Sequence, residues 1–320
     1  MKFLVVGGAG YIGSHMVKHL LTAGHDVVVA DIAPTRPEIK WVELDIADAP
    51  ALDALFAEYT FDAVFHFASF IQVGESVIEP GKYYQNNVTA TLVLLQAMVR
   101  AGVRRLIFSS TAAVYGNPQY VPIDEQHPKA PINPYGCSKW MVEQVLQDFD
   151  RAYGLRSVCL RYFNAAGADP EGECGERHEP ETHLIPLILQ AASGRRPAIT
   201  VFGRDYDTPD GTCIRDYIHV SDLASAHALA VDYLLAGGTS TVLNLGNGQG
   251  FSVQQVIDTV RDVTGREVCV EDAPRRAGDP PRLVADAARA RQLLGWQPAY
   301  TSLDAIVRHA WNWEKKYPWA

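Results

Sequence analysis

In the first half of the chain, short apolar runs alternate with segments in which apolar residues recur at helical spacing. The first run covers residues 3–6 and ends at a glycine-rich turn, after which Ile12, Met16 and Leu20 recur along one helical face. Further strand-like runs cover residues 27–30, 41–44, 63–67, 103–108 and 155–160, with helical segments at 51–59, 82–101 and from Pro134 onward. Strands that alternate with helices predict an α/β fold with a doubly wound parallel sheet of the Rossmann type.

The alternation stops after residue 164. Residues 165–183 are rich in Gly, Pro, Glu and His and predict a long loop. The remaining pattern predicts helices at 184–193, 222–236, 252–264 and 303–316, and strands at 217–220 and 243–245. We therefore predict a cofactor-binding domain at residues 1–164, to which elements around 214–247 return. Residues 165–213 and 248–320 form a smaller mixed α/β lobe for the substrate.

Composition narrows the class of protein. Of the 320 residues, 48% are hydrophobic and 20% charged, as in soluble globular proteins. The net charge of -9 argues against nucleic acid or an anionic membrane as the main partner. The five cysteines are odd in number and show no Cys-x-x-Cys spacing, which predicts reduced thiols in a cytoplasm, without a metal site or disulfides. No apolar stretch reaches membrane-spanning length.

The turn after the first strand predicts a dinucleotide site. Two sets of glycines fit this role, Gly7 or Gly8 each with Gly10 and Gly13, and they let the backbone approach a pyrophosphate. The following helix begins with N–H donors and a positive dipole. Asp31 ends the second strand, 18 residues beyond Gly13, where a carboxylate binds the adenosine ribose and favours NAD over NADP. Asp45 and Ile46, after the third strand, are candidate adenine contacts. The alternatives are a tight turn without a ligand and a capping role for Asp31.

Tyr135 and Lys139 are the candidate acid/base pair. On a helix they lie one turn apart on the same face, and Pro134 suits the first turn. An ammonium beside a phenol lowers the pKa of the phenol, which makes a base for an alcohol proton near neutral pH. The same spacing also fits a surface Lys lying along a half-buried ring.

Together these residues resemble the extended short-chain dehydrogenase/reductase family, and within it the enzymes that invert C4 of UDP-sugars. The resemblance runs in the family's order through most of the chain. The matching segments are residues 7–15, 66–68, 73–76, 86–88, 109–111, 114–116, 134–139, 161–164, 210–212, 215–220 and 244–246. The blocks Phe163-Asn164 and Arg215 to Val220 point most specifically to nucleotide-sugar enzymes.

The resemblance implies interconversion of UDP-glucose and UDP-galactose with a tightly bound NAD that is recycled in each turnover. Tyr135, Lys139 and Thr111 would be catalytic. The implied cofactor residues are Gly7, Gly10, Tyr11, Ile12, Gly13, Asp31, Asp45, Ile46, Phe67, Ala68, Ser69, Asn87, Ser109, Tyr135, Lys139 and Phe163. The implied substrate residues are Thr111, Asn164, His183, Leu184, Phe202, Arg215, Arg276, Asp279 and Leu283. The family also implies a homodimer formed by the helix at 82–101 and the Tyr135 helix.

Several alternatives remain open from sequence. An Arg of the substrate set also fits a surface ion pair, and Phe202 also fits core packing. Ile71 stands where many family members have Lys, which bears on NAD retention. Leu283 stands where size controls the sugar pocket, so an N-acetylated or five-carbon UDP-sugar is an alternative substrate. A 4,6-dehydratase is disfavoured because Ala112 and Ala113 replace its Asp-Glu pair. A simple NAD-linked reductase or a non-catalytic NAD-binding protein would also fit the sequence.

Overall fold

A seven-stranded parallel sheet organises the molecule. The structure, a computed structural model, describes residues 1–276 and 278–316, so the last four residues of the predicted lobe lie outside the described residues. The strands lie in the order β11-β6-β5-β4-β1-β2-β3, and each neighbouring pair is parallel. The strand order reverses beside β1, and in such sheets ligands bind at this point, past the carboxyl ends of the strands.

The helices and strands follow the predicted alternation through the first half. The elements up to the break are β1 Lys2–Val6, α1 Tyr11–Thr22, β2 Asp26–Asp31, β3 Trp41–Glu43, α2 Ala49–Glu58, β4 Ala63–His66, α3 Val73–Ile78, α4 Pro80–Tyr83, a π-helix Tyr84–Ala90, α5 Thr91–Arg100, β5 Arg105–Thr111, a 3₁₀ turn Ala112–Tyr115, α6 Pro134–Tyr153 and β6 Arg156–Tyr162.

The second half has shorter strands. Its elements are β7 Asn164–Ala166, α7 Leu184–Ala192, β8 Ile199–Phe202, β9 Ile214–Arg215, β10 Tyr217–His219, α8 Val220–Leu235, β11 Thr241–Leu245, β12 Phe251–Ser252, α9 Val253–Thr264, β13 Val270–Ala273, β14 Arg282–Leu283, α10 Ala288–Leu294 and α11 Leu303–Lys316. Apart from β11, these strands form small sheets: β10 with β7, β12 with β9 and β14, and β13 with β8.

The large sheet has an apolar core on each face. Phe3 and Val5 of β1 contact the core beneath α1 and α8, whereas Leu4 and Val6 contact the core beneath α2, α5 and α6. Because both faces of this parallel strand are buried, β1 is apolar at every position from Phe3 to Val6. A third core joins α7, α9 and α11 in the second half. The two large cores hold the carboxyl edge of the sheet in place, and the candidate site lies at that edge.

The segment predicted as one helix at 82–101 differs in detail. It begins as α4, continues as the π-helix Tyr84–Ala90 and ends as α5. Such wide turns are rare and occur often at functional sites. Gly102 follows the helix with φ +76°, which is the backbone conformation that glycine adopts most easily. Leu95 lies in the core beneath the sheet, so it is not available to a dimer interface.

Candidate active site

The glycine turn forms a cradle at the start of α1. Gly7 has φ +79°, and a Cβ on it would overlap the backbone of Ala68. At Gly10 an added Cβ would meet only the Gly7 carbonyl oxygen, at 3.4 Å, so space lies open above this residue. Helix α1 begins at Gly10 without a side-chain cap, which leaves its first N–H groups to bind an anion. The turn therefore fits the pyrophosphate of a dinucleotide.

Asp31 lies beside this cradle, at the end of β2. Its Oδ2 accepts a hydrogen bond from the Ala9 N–H at 2.9 Å, and its Oδ1 accepts one from the Ala33 N–H at 3.0 Å. These bonds hold the carboxylate against the glycine turn. Asp45 Oδ1 accepts from the Ala47 N–H at 2.9 Å, and Ile46 is buried in the core. The structure thus brings the predicted ribose residue to the predicted pyrophosphate turn.

Lys139 is buried at the centre of the carboxyl edge, with 2% of its surface exposed. Its Nζ donates to Ser69 Oγ at 2.6 Å and to the Ser109 carbonyl at 2.8 Å. It also lies 4.9 Å from the centre of the Phe108 ring. Burial lowers the pKa of Lys139 to about 7, although the charge of Glu143 opposes this. Ser69, which follows β4, and Ser109 and Phe108 of β5 thus converge on one ammonium from α6.

Tyr135 and Thr111 are neighbours, because the Thr111 hydroxyl acts on the phenol of Tyr135 and lowers its pKa. Thr111 ends β5, and its Oγ1 also accepts from the Ala113 N–H at 3.1 Å. Asn133 caps α6 by accepting from the Gly136 N–H at 2.8 Å. Gly136 lets α6 approach this segment, since a Cβ there would lie 2.6 Å from the Ala113 carbonyl oxygen. The cap and the glycine together bring Tyr135 to the end of β5.

The expected lowering of the Tyr135 pKa is absent in the protein alone. Burial raises the pKa of Tyr135, and the neighbouring Thr111 hydroxyl only partly opposes the rise. The Lys139 ammonium donates its hydrogen bonds to Ser69 and Ser109. Because burial lowers the pKa of Lys139 to about 7, part of the Lys139 population is neutral near pH 7 and cannot stabilise a phenolate. The prediction from spacing neglected the desolvation of both groups.

Four further cofactor residues of the predicted set have defined contacts. Asn87, in the π-helix, accepts from the Phe70 N–H at 2.9 Å and donates to the Phe70 carbonyl at 3.0 Å. Tyr11 donates to the Gly167 carbonyl at 2.7 Å, which ties the start of α1 to the loop after β7. The Phe67 ring lies 5.0 Å from that of His227, and Phe163 packs against the cluster of Val114, Tyr115 and Ile123. These residues shape the walls of the edge.

The predicted substrate residues form two contacting pairs. Arg215 donates to the carboxylate of Asp279 and, from Nη1, to the Pro280 carbonyl at 3.0 Å. The guanidinium of Arg276 lies over the Phe202 ring, 3.9 Å from its centre. Arg215 is also paired with Leu283 between β9 and β14. Arg215 therefore forms an ion pair, which was one of the alternatives from sequence, and the Phe202 ring packs against Arg276. The two residues of each pair would have to separate in order to bind a ligand.

The remaining substrate candidates lie at the start of short elements. Asn164 Nδ2 donates to the Asp216 carbonyl at 2.9 Å, which joins β7 to β10. His183 precedes α7, which Leu184 begins, and its Nδ1 contacts Glu176. Burial would lower the pKa of His183, but the contact with Glu176 raises it overall. Leu283 of the predicted substrate residues and Phe163 of the predicted cofactor residues both pack against Val114 and Tyr115. Val114 and Tyr115 belong to the turn that follows Thr111, so cofactor and substrate residues meet in one apolar cluster.

A buried ion pair beneath this edge was missing from the sequence predictions. Arg161 of β6 donates from Nε to Glu143 of α6 at 2.9 Å, and the Ser110 hydroxyl donates to the same carboxylate. Tyr115 accepts from Arg161 at 2.9 Å and donates to Asn244 of β11 at 2.6 Å. The signal was present, because Glu143 lies four residues after Lys139 on the same face of α6. This network locks α6 against β5 and β6.

Comparison with known proteins decides the family. The model of the NAD dependent epimerase/dehydratase family matches residues 3–246. The chain belongs to this family. It is 51% identical to the UDP-glucose 4-epimerase of Halalkalibacterium halodurans, over 99% of this chain and 97% of that protein. It is 54% identical to the UDP-glucose 4-epimerase of Rhizobium meliloti, over 98% and 97%.

Solved structures agree with the sequence relatives. The UDP-glucose 4-epimerase from Brucella ovis in complex with NAD superposes with a TM-score of 0.95, at 49% identity over 97% of each chain. The resemblance to UDP-sugar 4-epimerases and the prediction of a doubly wound parallel sheet are both confirmed. The prediction of NAD as cofactor is confirmed as well, and the glycine cradle with its open space at Gly10 fits that group.

Proposed function

We propose that this chain interconverts UDP-glucose and UDP-galactose by inverting C4 of the sugar. The carrying observation is the meeting of Tyr135, Thr111 and the buried Lys139 at the carboxyl edge of the sheet, where Lys139 donates to Ser69 and Ser109. Two neighbouring hydroxyls can bind one alcohol oxygen, and one of them can move its proton. This edge is where ligands bind in doubly wound sheets, and the relatives carry the same activity in their names.

The chain's own residues manage the proton and the orientation. Tyr135 takes the proton of the sugar 4-hydroxyl and returns it after the 4-keto sugar has turned over in its pocket. Thr111 hydrogen-bonds the same oxygen and keeps it beside Tyr135. Gly7, Gly10 and Asp31 would hold NAD, which supplies the hydride acceptor and donor for C4. Lys139 holds the end of β5 through Ser109 and is placed to bind the nicotinamide ribose.

The sugar must rotate during the reaction, so the enzyme has to bind the substrate through its UDP moiety. Arg215 and Arg276 supply the cations that a diphosphate needs, and a guanidinium forms paired hydrogen bonds with phosphate. Both are already oriented, Arg215 by Asp279 and Arg276 by the Phe202 ring. We propose that uracil replaces Arg276 on Phe202, that the UDP ribose binds Asp279, and that Asn164, His183 and Leu184 contact the diphosphate and uridine.

Proton NMR of the purified enzyme with UDP-galactose and no added NAD tests this function. We expect UDP-glucose to form without accumulation of free NADH, because the cofactor is recycled on the enzyme. Net oxidation of UDP-sugar coupled to added NAD would instead indicate a reductase. Product that forms only with added NAD would support the activity but contradict tight retention, which the Ile71 substitution would explain. No product with any UDP-hexose, with or without NAD, would refute the proposal.

Leu283 tests the alternative substrates. Leu is intermediate in size, so we propose that glucose and galactose are accepted and that N-acetylated UDP-sugars react more slowly. Leu283→Gly opens space beside Phe163 and should raise kcat/KM for UDP-N-acetylgalactosamine relative to UDP-galactose by about 10-fold, the effect of removing a few methylene groups. If neither the wild type nor Leu283→Gly epimerises the N-acetylated sugar, this specificity proposal is wrong.

We also propose a division of labour, an assembly and a location. Residues 1–164 with elements of 214–247 bind NAD, and residues 165–213 and 248–320 bind the UDP-sugar.

The chain forms a homodimer through the helix at 82–101 and α6, where Met141 is 45% exposed. Sedimentation of the wild type and Met141→Glu tests this assembly. The five cysteines are free thiols, which supports a cytoplasmic location. Within residues 1–276 and 278–316, no helix is long and apolar enough to span a membrane.

A further inference from the structure

Two carboxylates and two imidazoles converge in the loop between β7 and α7. They belong to Glu176, His178, Glu181 and His183, and one ligand atom from each lies within 4.8 Å of the others. His178 Nδ1 lies 3.1 Å from Glu176 Oε1 and 4.0 Å from Glu181 Oε2. In tetrahedral zinc sites, ligand bonds of about 2.0–2.2 Å separate neighbouring ligand atoms by about 3.3–3.6 Å. The two separations from His178 bracket this spacing, whereas His183 Nδ1 makes a closer, hydrogen-bond contact with the same Glu176 oxygen.

The burial of the two carboxylates is the second observation. The side chain of Glu176 is 5% exposed and that of Glu181 is 4% exposed. Glu176 contacts both imidazoles, and a cation that joins the two buried carboxylates would offset their mutual repulsion and their lost hydration. The two imidazoles that face them can accept protons or coordinate a metal, and an N₂O₂ donor set suits a borderline divalent metal such as zinc.

Hydrogen bonds from neighbouring groups already hold Glu176 and Glu181 in position. Glu181 Oε1 accepts from the Thr182 N–H at 2.7 Å and from the His183 N–H at 2.8 Å, which leaves its second oxygen directed at His178. The backbone carbonyl of Glu176 accepts from the Trp313 indole N–H at 3.0 Å. Such supporting hydrogen bonds orient metal ligands before the ion binds.

We propose that Glu176, His178, Glu181 and His183 form a binding site for one zinc-class divalent metal ion. The ion joins the two buried carboxylates and fixes the loop in place. This loop extends from Gly167, which accepts a hydrogen bond from Tyr11 at the cofactor turn, to His183 at the start of α7. The bound ion therefore connects the cofactor side of the molecule to the substrate side, where the His183 imidazole binds the ion and the contact of His183 with UDP is left to its backbone. The prediction of no metal site from cysteine spacing did not consider His and Glu.

Isothermal titration of the untagged holoenzyme with Zn²⁺ tests the proposal, in a Cys269→Ser background because Cys269 is an exposed thiol. We expect one Zn²⁺ per chain. His178→Asn and Glu176→Gln should each weaken binding by more than about 100-fold, since loss of even an outer-shell partner costs about 10–100-fold. Co²⁺ bound in place of Zn²⁺ should show the visible absorption of a four-coordinate ion without a thiolate charge-transfer band.

The matched control is Glu171→Gln/Glu173→Gln, which alters the neighbouring acidic cluster around Lys18. That variant should bind Zn²⁺ as the wild type does. Circular dichroism checks that each variant is folded, and His178→Asn, on a side chain that is 29% exposed, decides the matter if Glu176→Gln does not fold. Absence of stoichiometric Zn²⁺ binding, unchanged affinity in folded His178→Asn, or equal affinity for Mg²⁺ would each overturn the proposal.

Discussion

The catalytic edge and the substrate side hold their polar residues in different ways. At the catalytic edge, Lys139 is 2% exposed and bonds to Ser69 and Ser109, which the core of a parallel sheet holds still. On the substrate side, Arg215 and Arg276 contact Asp279 and Phe202 across two-stranded and three-stranded sheets near the surface. We infer that the groups proposed to act on the reacting atoms are fixed in advance. The groups proposed to bind the UDP moiety instead have partners that a ligand can replace.

The largest expected effect comes from Tyr135→Phe. The change removes the proton carrier and keeps the ring, so kcat should fall by about 10²–10⁴-fold, the range for a general acid/base. NAD content of the purified variant should equal that of the wild type. Stopped or coupled assays with UDP-galactose, together with cofactor release and absorbance, measure both. Residual activity above a few per cent would contradict the assignment of Tyr135 as the base.

Lys139→Met tests how much the burial of Lys139 at the catalytic edge destabilises the folded protein. Its pKa is about 7 in the folded protein and 10.5 unfolded, so the folded state binds its proton less readily. This destabilises the wild type fully below pH 7, and the penalty disappears as pH rises toward 10.5. The variant should lose activity, yet after removal of NAD it should be more stable than the wild type by on the order of 5 kcal/mol below pH 7.

Urea unfolding at pH 6 and pH 9 checks the sign of this effect. The stability advantage of Lys139→Met should shrink by about 2–3 kcal/mol between these two values, at about 1.4 kcal/mol per pH unit above pH 7. Lys40→Met, which removes an exposed lysine over the Tyr59 ring, is the control for the loss of a lysine side chain at the surface. A constant or growing advantage would mean that Lys139 is not destabilised by burial.

Arg215→Lys should have an intermediate effect, and on binding rather than chemistry. Lys keeps the charge but cannot form the forked contact, so KM for UDP-galactose should rise about 10–100-fold, as expected for one charged hydrogen bond, while kcat changes little. Arg204→Lys, whose exposed side chain pairs with Asp272, is the matched control and should leave KM unchanged. A fall in kcat with unchanged KM would place Arg215 at the catalytic edge instead.

Phe202→Leu should have the smallest effect. Leu keeps the apolar surface but removes the flat face that Arg276 covers in the free protein, so KM should rise only several-fold, as for about 1 kcal/mol of stacking. UDP itself, measured as a competitive inhibitor, should weaken by the same factor. Equal inhibition of the variant and the wild type by UDP would show that Phe202 only packs in the core.

Local patterns were sufficient for the sheet, the glycine turn and the Tyr135–Lys139 pair. Apolar runs that end at Gly7 or Asp31, and a helix that begins at Pro134, depend on neighbours in sequence, where propensity and periodicity act. The motif order was then enough for the family. The π-helix Tyr84–Ala90 was beyond reach, because the same residues also satisfy the pattern of an ordinary helix.

Contacts between distant residues were decided only by the tertiary structure. Arg215 and Asp279 meet across 64 positions, and Arg161 reaches Glu143 beneath the site. Spacing predicted that Lys139 would lower the pKa of Tyr135, whereas burial raises it, because desolvation depends on everything packed around a group rather than on its sequence neighbours. The sequence therefore determined which chemical groups this protein has, and the fold determined their charge and their partners.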